Sequence, residues 1–396
     1  KIPALRFPEF SGEWEEKRLG EIASLGSSKR VYLSDYVDNG IPFYRGKEIT
    51  ELKANKKPSD ILYISEELYE NFKKEFGIPK EGDILITAVG TLANVWLVDS
   101  HKFYFKDGNL IWLSNLKTNS HFSALILERE KKNIEKTAIG SSQKALTMVE
   151  LNKIVLAFPS LPEQQKIADF LSAVDKRLQL LKDKKTKLEE YKRGVMQRIF
   201  SQELRFTRPD GSAYPDWEEK RLGELLTIPV STSPNCINPS KILTVRLHQK
   251  GVHASTISQY YNVGATKYYI RKKGDFIFGK QNIFNGAFAI IPDEYDGYLT
   301  SGDIPSLNIG ANLLGKYLIY FLSNNYFYKK MESLAIGTGS KRLHEEELFN
   351  IKIHLPHLDE QHQIADFLSA IDDKISLLSK QIQSTEQYKK GLLQQM

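Results

Sequence analysis

The chain has 396 residues, 41% of them hydrophobic and 26% charged, with a formal net charge of +6; this excludes a disordered polymer and leaves room for two or more domains with cores of their own. Cys236 is the only cysteine, which excludes an internal disulfide and a cysteine-based zinc cluster and fits a reducing, cytoplasmic compartment. No apolar run approaches the ~18 residues of a membrane span, and the modest basic excess permits an anionic partner without requiring one.

The first residue is Lys1 rather than a methionine, so a few upstream residues are expected; no secretory leader is visible. The first globule, residues 1–160, opens with LRFPEFSGEWEEKRLGE at Leu5–Glu21. Lys80–Asp99 (KEGDILITAVGTLANVWLVD) has β-branched and aromatic runs bounded by Gly, Asn and Asp, which predict strands joined by tight turns. Phe122–Lys131 has helical apolar spacing. Ala138–Pro159 closes the globule as a Gly/Ser loop, a short helix and a strand ending at proline.

Residues 161–200 form a predicted long helix. Its heptad core positions fall at Ile167, Leu171, Val174, Leu178, Leu181, Lys185, Leu188, Lys192, Val195 and Ile199. Sustained 3–4 spacing predicts a coiled-coil seam, because a 3.5-residue period keeps one stripe facing a partner. Pro162 suits the first helical turn, and Glu163 suits the positive end of the helix dipole.

The second globule, residues 201–357, repeats the first at a period of about 200 residues, too long for a solenoid. It opens with LRFTRPDGSAYPDWEEKRLGE at Leu204–Glu224, and WEEKRLGE is identical at Trp14–Glu21 and Trp217–Glu224. Lys272–Pro292 is the counterpart of the hairpin segment, Leu313–Met331 is predicted helical, and Ala335–Pro356 repeats the closing loop, helix and strand. Residues 358–396 form the second long helix, in which IADFLSA recurs and the seam falls at Ile364, Leu368, Ile371, Ile375, Leu378, Ile382, Thr385, Lys389, Leu392 and Met396. Lys192 and Lys389 break the apolar rule at the same place. Each helix would span roughly 55–60 Å at 1.5 Å per residue. The duplication predicts an α+β molecule: two pseudo-symmetric α/β globules joined and spaced by two long antiparallel coiled-coil helices.

Catalytic signatures come close and fail. Gly274–Gln281 fits a phosphate-loop spacing but has Gln281 where Ser or Thr should hold magnesium. Pro209, Asp210, Glu218 and Lys220 are too tightly spaced for a nuclease site, and Gly337–Gly339 lacks a dinucleotide fingerprint. No base-methylating Asn/Asp-Pro-Pro-aromatic element occurs, and His354, His357 and His362 would be spread by strand alternation and helix phase. No metal ligand or catalytic residue is assigned.

Both globules do offer loops of the residue types that reach base edges and phosphates. The first has Lys29 and Arg30, Arg45-Gly46-Lys47, Thr91 and Asn94, and Ser141-Ser142-Gln143-Lys144 after Gly140. The second has Arg246, His248 and Gln249, Lys280-Gln281-Asn282, and Gly339-Ser340-Lys341-Arg342. The Gly/Ser/basic loop recurs at one place with different contents, as two half-site readers would require.

These features together resemble the specificity subunits of type I restriction–modification systems. The resemblance rests on the two WEEKRLGE openings, the two E-Q-x-x-I-A-D-F-L-S-A helices ending in Tyr191-Lys192-Arg193-Gly194 and Tyr388-Lys389-Lys390-Gly391, and the Gly82-Asp83 and Gly274-Asp275 strands; it covers essentially the whole chain. It implies two target-recognition domains that each read half of a bipartite double-stranded DNA target in the major groove. It implies helices that act as a ruler for the unread spacer and dock methyltransferase subunits, two of them expected. Restriction/translocase subunits would join through these. No cofactor is expected on this chain; S-adenosylmethionine, ATP and magnesium would sit on the partners. The family's recognition loops carry over to the loop after Ala-Ile-Gly in each copy, to Arg45-Gly46-Lys47 and to Arg246-Leu247-His248. The second copy stops at Met396 where the first runs on through Phe200, so a short tail is expected to be absent. A protein-only coiled-coil scaffold is the alternative, and a self-contained enzyme a third reading.

Overall fold

The repeated WEEKRLGE segments do the same structural work twice. In the computed structural model, which describes residues 3–54, 56–230, 232–255, 266–337 and 340–396, Glu15–Arg18 pairs antiparallel with Val155–Phe158 and Glu218–Arg221 with Lys352–Leu355. The two registers match: Glu15 faces Phe158 and Glu218 faces Leu355. The opening strand of each globule therefore closes against its last strand. A short helical turn follows each, Leu19–Ile22 and Leu222–Leu225, with Glu21 and Glu224 accepting from the backbone N–H of Arg18 and Arg221.

The chain divides into two compact units, Lys1–Leu181 with Gln381–Met396, and Lys182–Lys380. Each contains a four-stranded antiparallel sheet of the same order. In the first, the strands run Ser24–Gly26, Leu110–Ser114, Ile84–Thr87, Val95–Leu97. In the second they run Leu226–Thr227, Ser306–Ile309, Phe276–Phe278, Phe288–Ile290. The central strands, Ile84–Thr87 and Phe276–Phe278, are wholly buried, as their continuous apolar runs require. The units diverge in the preceding segment. The first carries the helices Gly46–Lys53 and Glu66–Glu75 and a second sheet in which Ile41–Tyr44 pairs parallel with Tyr104–Phe105. The second carries the two-stranded pairs Leu243–Val245 with Val252–Ala254 and Tyr268–Ile270 with Leu299–Ser301. The predicted helix over 313–331 is interrupted: Gly315–Ser323 ends at Asn324, and Asn325–Lys330 follows.

The long helices run Leu161–Phe200 and Leu358–Gln395, and they pack together. Every predicted seam position is buried or half-buried, whereas Lys176, Arg177 and Leu180 between them are exposed. In the first unit Ile167 and Leu171 share a core with Leu392 and Met396, and Asp175 meets Lys389, so the paired helices run antiparallel. The second unit repeats this with Ile364, Leu368 and Ile371 against Val195 and Ile199, and with Asp372 against Lys192.

The identical IADFLSA is explained by docking as well as by the seam. Ile167, Ala168 and Leu171, like Ile364, Ala365 and Leu368, enter the core of their own globule. The phenylalanine of each motif packs edge-on against the phenylalanine of LRF: Phe170 with Phe7 at 5.8 Å, Phe367 with Phe206 at 5.7 Å. Glu163 and Glu360 sit in the first turn but are fully buried, so dipole compensation is the smaller part of their role. Glu360 takes a bidentate hydrogen bond from Arg205 (2.9 and 3.0 Å) and one from Trp217 Nε1 (3.0 Å). Glu163 takes the same from Arg6 (2.8 and 2.7 Å) and Trp14 Nε1 (3.3 Å). The adjacent glutamines are equally specific: Gln164 accepts from Asn119 N–H and donates to the Pro159 carbonyl, and Gln361 accepts from Leu314 N–H and donates to Asn312 and Pro356. A buried Glu-Gln pair is thus the lock between each long helix and its globule.

The lysine breaks also have partners. Lys389 Nζ lies 2.7 Å from Asp175, and Lys192 Nζ lies 2.6 Å from Asp372. Tyr320 donates to the other oxygen of Asp372 at 2.8 Å, and burial pushes the Tyr320 phenol pKa up. A polar pair in an apolar seam costs stability but selects one register. Lys389→Glu is expected to lower the stability of the first unit by about 1 kcal/mol, and Asp175→Lys in the same chain to recover most of it. A urea double-mutant cycle reads the coupling; additivity would show that the pair sets no register.

Candidate nucleic-acid interface

The tip of the buried hairpin in each unit is framed by the same backbone hydrogen bonds. In the first, Ala88 N–H donates to the Asn109 carbonyl (2.8 Å), and Leu146 N–H donates to the Ala88 carbonyl (2.8 Å). In the second, Lys280 N–H donates to the Asp303 carbonyl (2.9 Å), and Leu343 N–H to the Lys280 carbonyl (2.9 Å). The Gly/Ser/basic loop springs from this frame, pinned by bridges from Ile139 to Ala145 and from Ile336 to Arg342. The turn requires glycine. Gly140 has φ +115°, and a Cβ there would meet the Gln143 carbonyl oxygen at 2.3 Å; Gly337 has φ +123°, with the Ser340 oxygen at 2.8 Å.

One further candidate segment in each unit reaches the same tip. In the first unit the helix Gly46–Lys53 starts beside the hairpin: a Cβ on Gly46 would lie 3.8 Å from both Thr87 Cγ2 and the Val89 carbonyl. In the second, His248 N–H donates to Asn285 (2.9 Å) and Gln249 N–H to Gly286 (2.8 Å), with both residues at φ +58°. Each unit therefore presents one composite surface of loops that are far apart in sequence.

Individual residues are not all free to read DNA. Ser141, Ser142, Gln143 and Lys144 are exposed, as are Arg246, His248, Ser340 and Lys341. Lys144 and Arg246 have no ion pair among the described residues; Lys341 pairs with Glu332 at 3.0 Å. Gly339 and Thr338 lie outside the described residues. Arg45 differs from expectation. Its guanidinium binds the wholly buried Glu48 (2.6 and 3.2 Å) and the Asp60 carbonyl (3.1 Å), and the Glu48 hydrogen bonds raise its pKa further. It holds the helix start in place, and Lys47 at 3.8 Å from Asp60 is the freer cation. Lys280 is likewise tied down, to Glu345 at 2.9 Å, while Gln281 and Asn282 are half-buried beside it. Asn94 is buried and bonded to Thr50 and Lys131, which removes it from the candidates. Lys29 lies over the Phe76 ring, and Arg30 pairs with Asp107 at 3.1 Å. The phosphate-loop spacing at Gly274–Gln281 proves to be a sheet strand with no following α-helix; Asp275 faces Ser306, and burial raises its pKa.

Sequence reasoning missed Asp303 and Glu345, which pair with Arg342 and Lys280. The signal was present in the repeat. At the frame positions the first unit has Ala88, Asn109 and Ala145, and the second has Lys280, Asp303 and Arg342.

A family model for the type I restriction modification DNA specificity domain matches residues 11–190 and again 214–387. The chain belongs to this family. It is a specificity subunit, not the catalytic component. The Type I restriction enzyme MjaVIII specificity subunit of Methanocaldococcus jannaschii is 25% identical over 420 residues, covering 99% of this chain and 93% of the relative. The putative specificity subunit S.HindORF215P of Haemophilus influenzae is 29% identical over 191 residues, 45% of this chain and 46% of the relative. Among solved structures, the type I restriction-modification S subunit from M. genitalium superposes with a TM-score of 0.61 at 15% identity, covering 100% of this chain and 98% of that one. A chain from a structure of type I R-M complex assembly and conformational transition gives 0.54 at 18% identity, covering 98% and 97%. At these identities the structural likeness establishes the fold. The two matched segments coincide with the two globules and the first part of the helix that follows each.

Proposed function

We infer that each specificity domain reads one half of a bipartite duplex target with the loops gathered at its hairpin tip, and that the long helices dock methyltransferase subunits. The observation that carries this reading is one backbone frame used twice with different side chains. A fixed scaffold with exchanged contents is what two half-sites of different sequence demand. In this reading two methyltransferase subunits bind the helices, and restriction/translocase subunits join through them. The partners hold S-adenosylmethionine, ATP and magnesium, and the complex works in the cytoplasm.

Methylation mapping of host DNA tests it: a two-part adenine-methylated motif is expected, and methylation without sequence preference would overturn it. Salt dependence separates DNA binding from the protein-only scaffold, because phosphate neutralisation makes log K fall steeply with log salt. Lys144→Ala is expected to weaken binding to all duplexes about equally and to reduce the salt slope by about 1, since this exposed lysine has no carboxylate partner among the described residues. A change of preferred sequence would instead make Lys144 a base reader.

A further inference from the structure

We propose that Arg342 reads the guanine of a G·C pair in the half-site of the second specificity domain, with Asp303 and Gln281 holding its guanidinium plane; this rests on the reading of the hairpin tips as DNA-recognition surfaces. Arg342 is anchored twice by the backbone frame, through its bridge to Ile336 and through Leu343 N–H bound to Lys280. Its side chain is held as well. With the Gln281 carboxamide oriented to satisfy its neighbours, Gln281 Oε1 accepts from Arg342 Nη2 at 2.9 Å and Nε at 3.2 Å. Asp303 Oδ1 lies 3.4 Å from Arg342 Nη1. Gln281 thereby takes the Nε/Nη2 edge of the guanidinium, and the Asp303 carboxylate stands in ion-pair range of Nη1. Of the five N–H donors of arginine, one on Nη2 and two on Nη1 remain, and an Nη1/Nη2 pair fits the O6 and N7 acceptors of guanine. The group stays 40% exposed while held in this geometry.

Local charge argues for a base edge over a phosphate. Two cations, Lys280 and Arg342, stand among two carboxylates, Glu345 and Asp303, so the cluster carries no excess positive charge to attract a phosphodiester. Lys280 is only 15% exposed and engaged with Glu345, so it does not compete for the backbone. Gln281, which could otherwise read adenine, has its oxygen committed to Arg342. The first domain has Ala145, Asn109 and Ala88 at the equivalent positions, so the proposal applies to one half-site only.

The test uses the full chain assembled with its methyltransferase subunits, on a duplex library randomised over both half-sites, with methylated adenine as readout. The wild-type complex is expected to demand guanine at one position of one half-site. Arg342→Ala is expected to relax that position alone, by about 10–100-fold in discrimination, with the other half-site unchanged. Asp303→Asn and Gln281→Ala keep the arginine and loosen its plane; each is expected to relax the same position by a smaller factor, which guards against a folding defect in the Arg342 variant. A motif unchanged by all three variants, or uniformly weaker methylation with a shallower salt slope, would overturn the assignment. A wild-type complex without a two-part motif would instead overturn the reading of the tips as recognition surfaces.

Discussion

Arg205→Ala is expected to lower the stability of the second unit by about 3 kcal/mol, or roughly 6–12 °C in Tm for a unit of this size. Glu360 is 0% exposed, and Arg205 supplies two of its three side-chain hydrogen bonds; truncation leaves a buried carboxylate with only the Trp217 N–H. The loss belongs to stranding the charge rather than to the net worth of the pair. Replacing Arg205 and Glu360 together by methionine is therefore expected to recover most of it. Because Glu360 lies in the first turn of the long helix, the lesion also frees the helix start from its globule. Urea denaturation of the wild type and the two variants gives the comparison, and a single mutant within about 0.5 kcal/mol of wild type would show that the Glu-Gln lock does not hold the helix. The Arg6–Glu163 pair should respond in the same direction in the first unit.

Arg45→Ala is the second large effect, and it bears on how recognition is mapped. Residue type and loop position both suggest a DNA contact, yet the side chain neutralises the buried Glu48. Removing it leaves Glu48 with the Arg45 backbone N–H at 2.7 Å as its remaining bond from that residue, at an expected cost of about 3 kcal/mol. Lost DNA binding in this variant would then follow from a displaced Gly46–Lys53 helix. Lys47→Ala, one residue away, should change stability by less than about 0.5 kcal/mol, because its pair with Asp60 is long and exposed. Thermal unfolding beside duplex binding distinguishes the cases: wild-type Tm with impaired binding in Arg45→Ala would restore Arg45 as a DNA contact.

Much of the architecture was legible without coordinates because the chain states it twice. Duplicated WEEKRLGE and IADFLSA segments revealed the repeat, and a 3.5-residue apolar period revealed the seam. Even the lysines that break the period were marked by recurring at one place. Periodicity works here because side chains on a regular element report one face, and burial acts on that face alone. The composite surfaces were legible only as separate loops, since nothing local says that Arg246–Gln249 folds back onto Asn285 and Gly286.

Sequence by itself determined the duplicated domain, the long paired helices and the glycine-dependent loop after each Ala-Ile-Gly. Tertiary structure alone decided which polar groups remain available. Glu48 removed Arg45 from the free cations, Glu345 removed Lys280, and Thr50 and Lys131 removed Asn94. The same pairing logic singled out Arg342, held by Asp303 and Gln281 with its side chain still 40% exposed. The physical reason is that charge pairing and burial are non-local: a cation's partner can lie anywhere along the chain, and the residue type carries no record of whether the fold has already satisfied it.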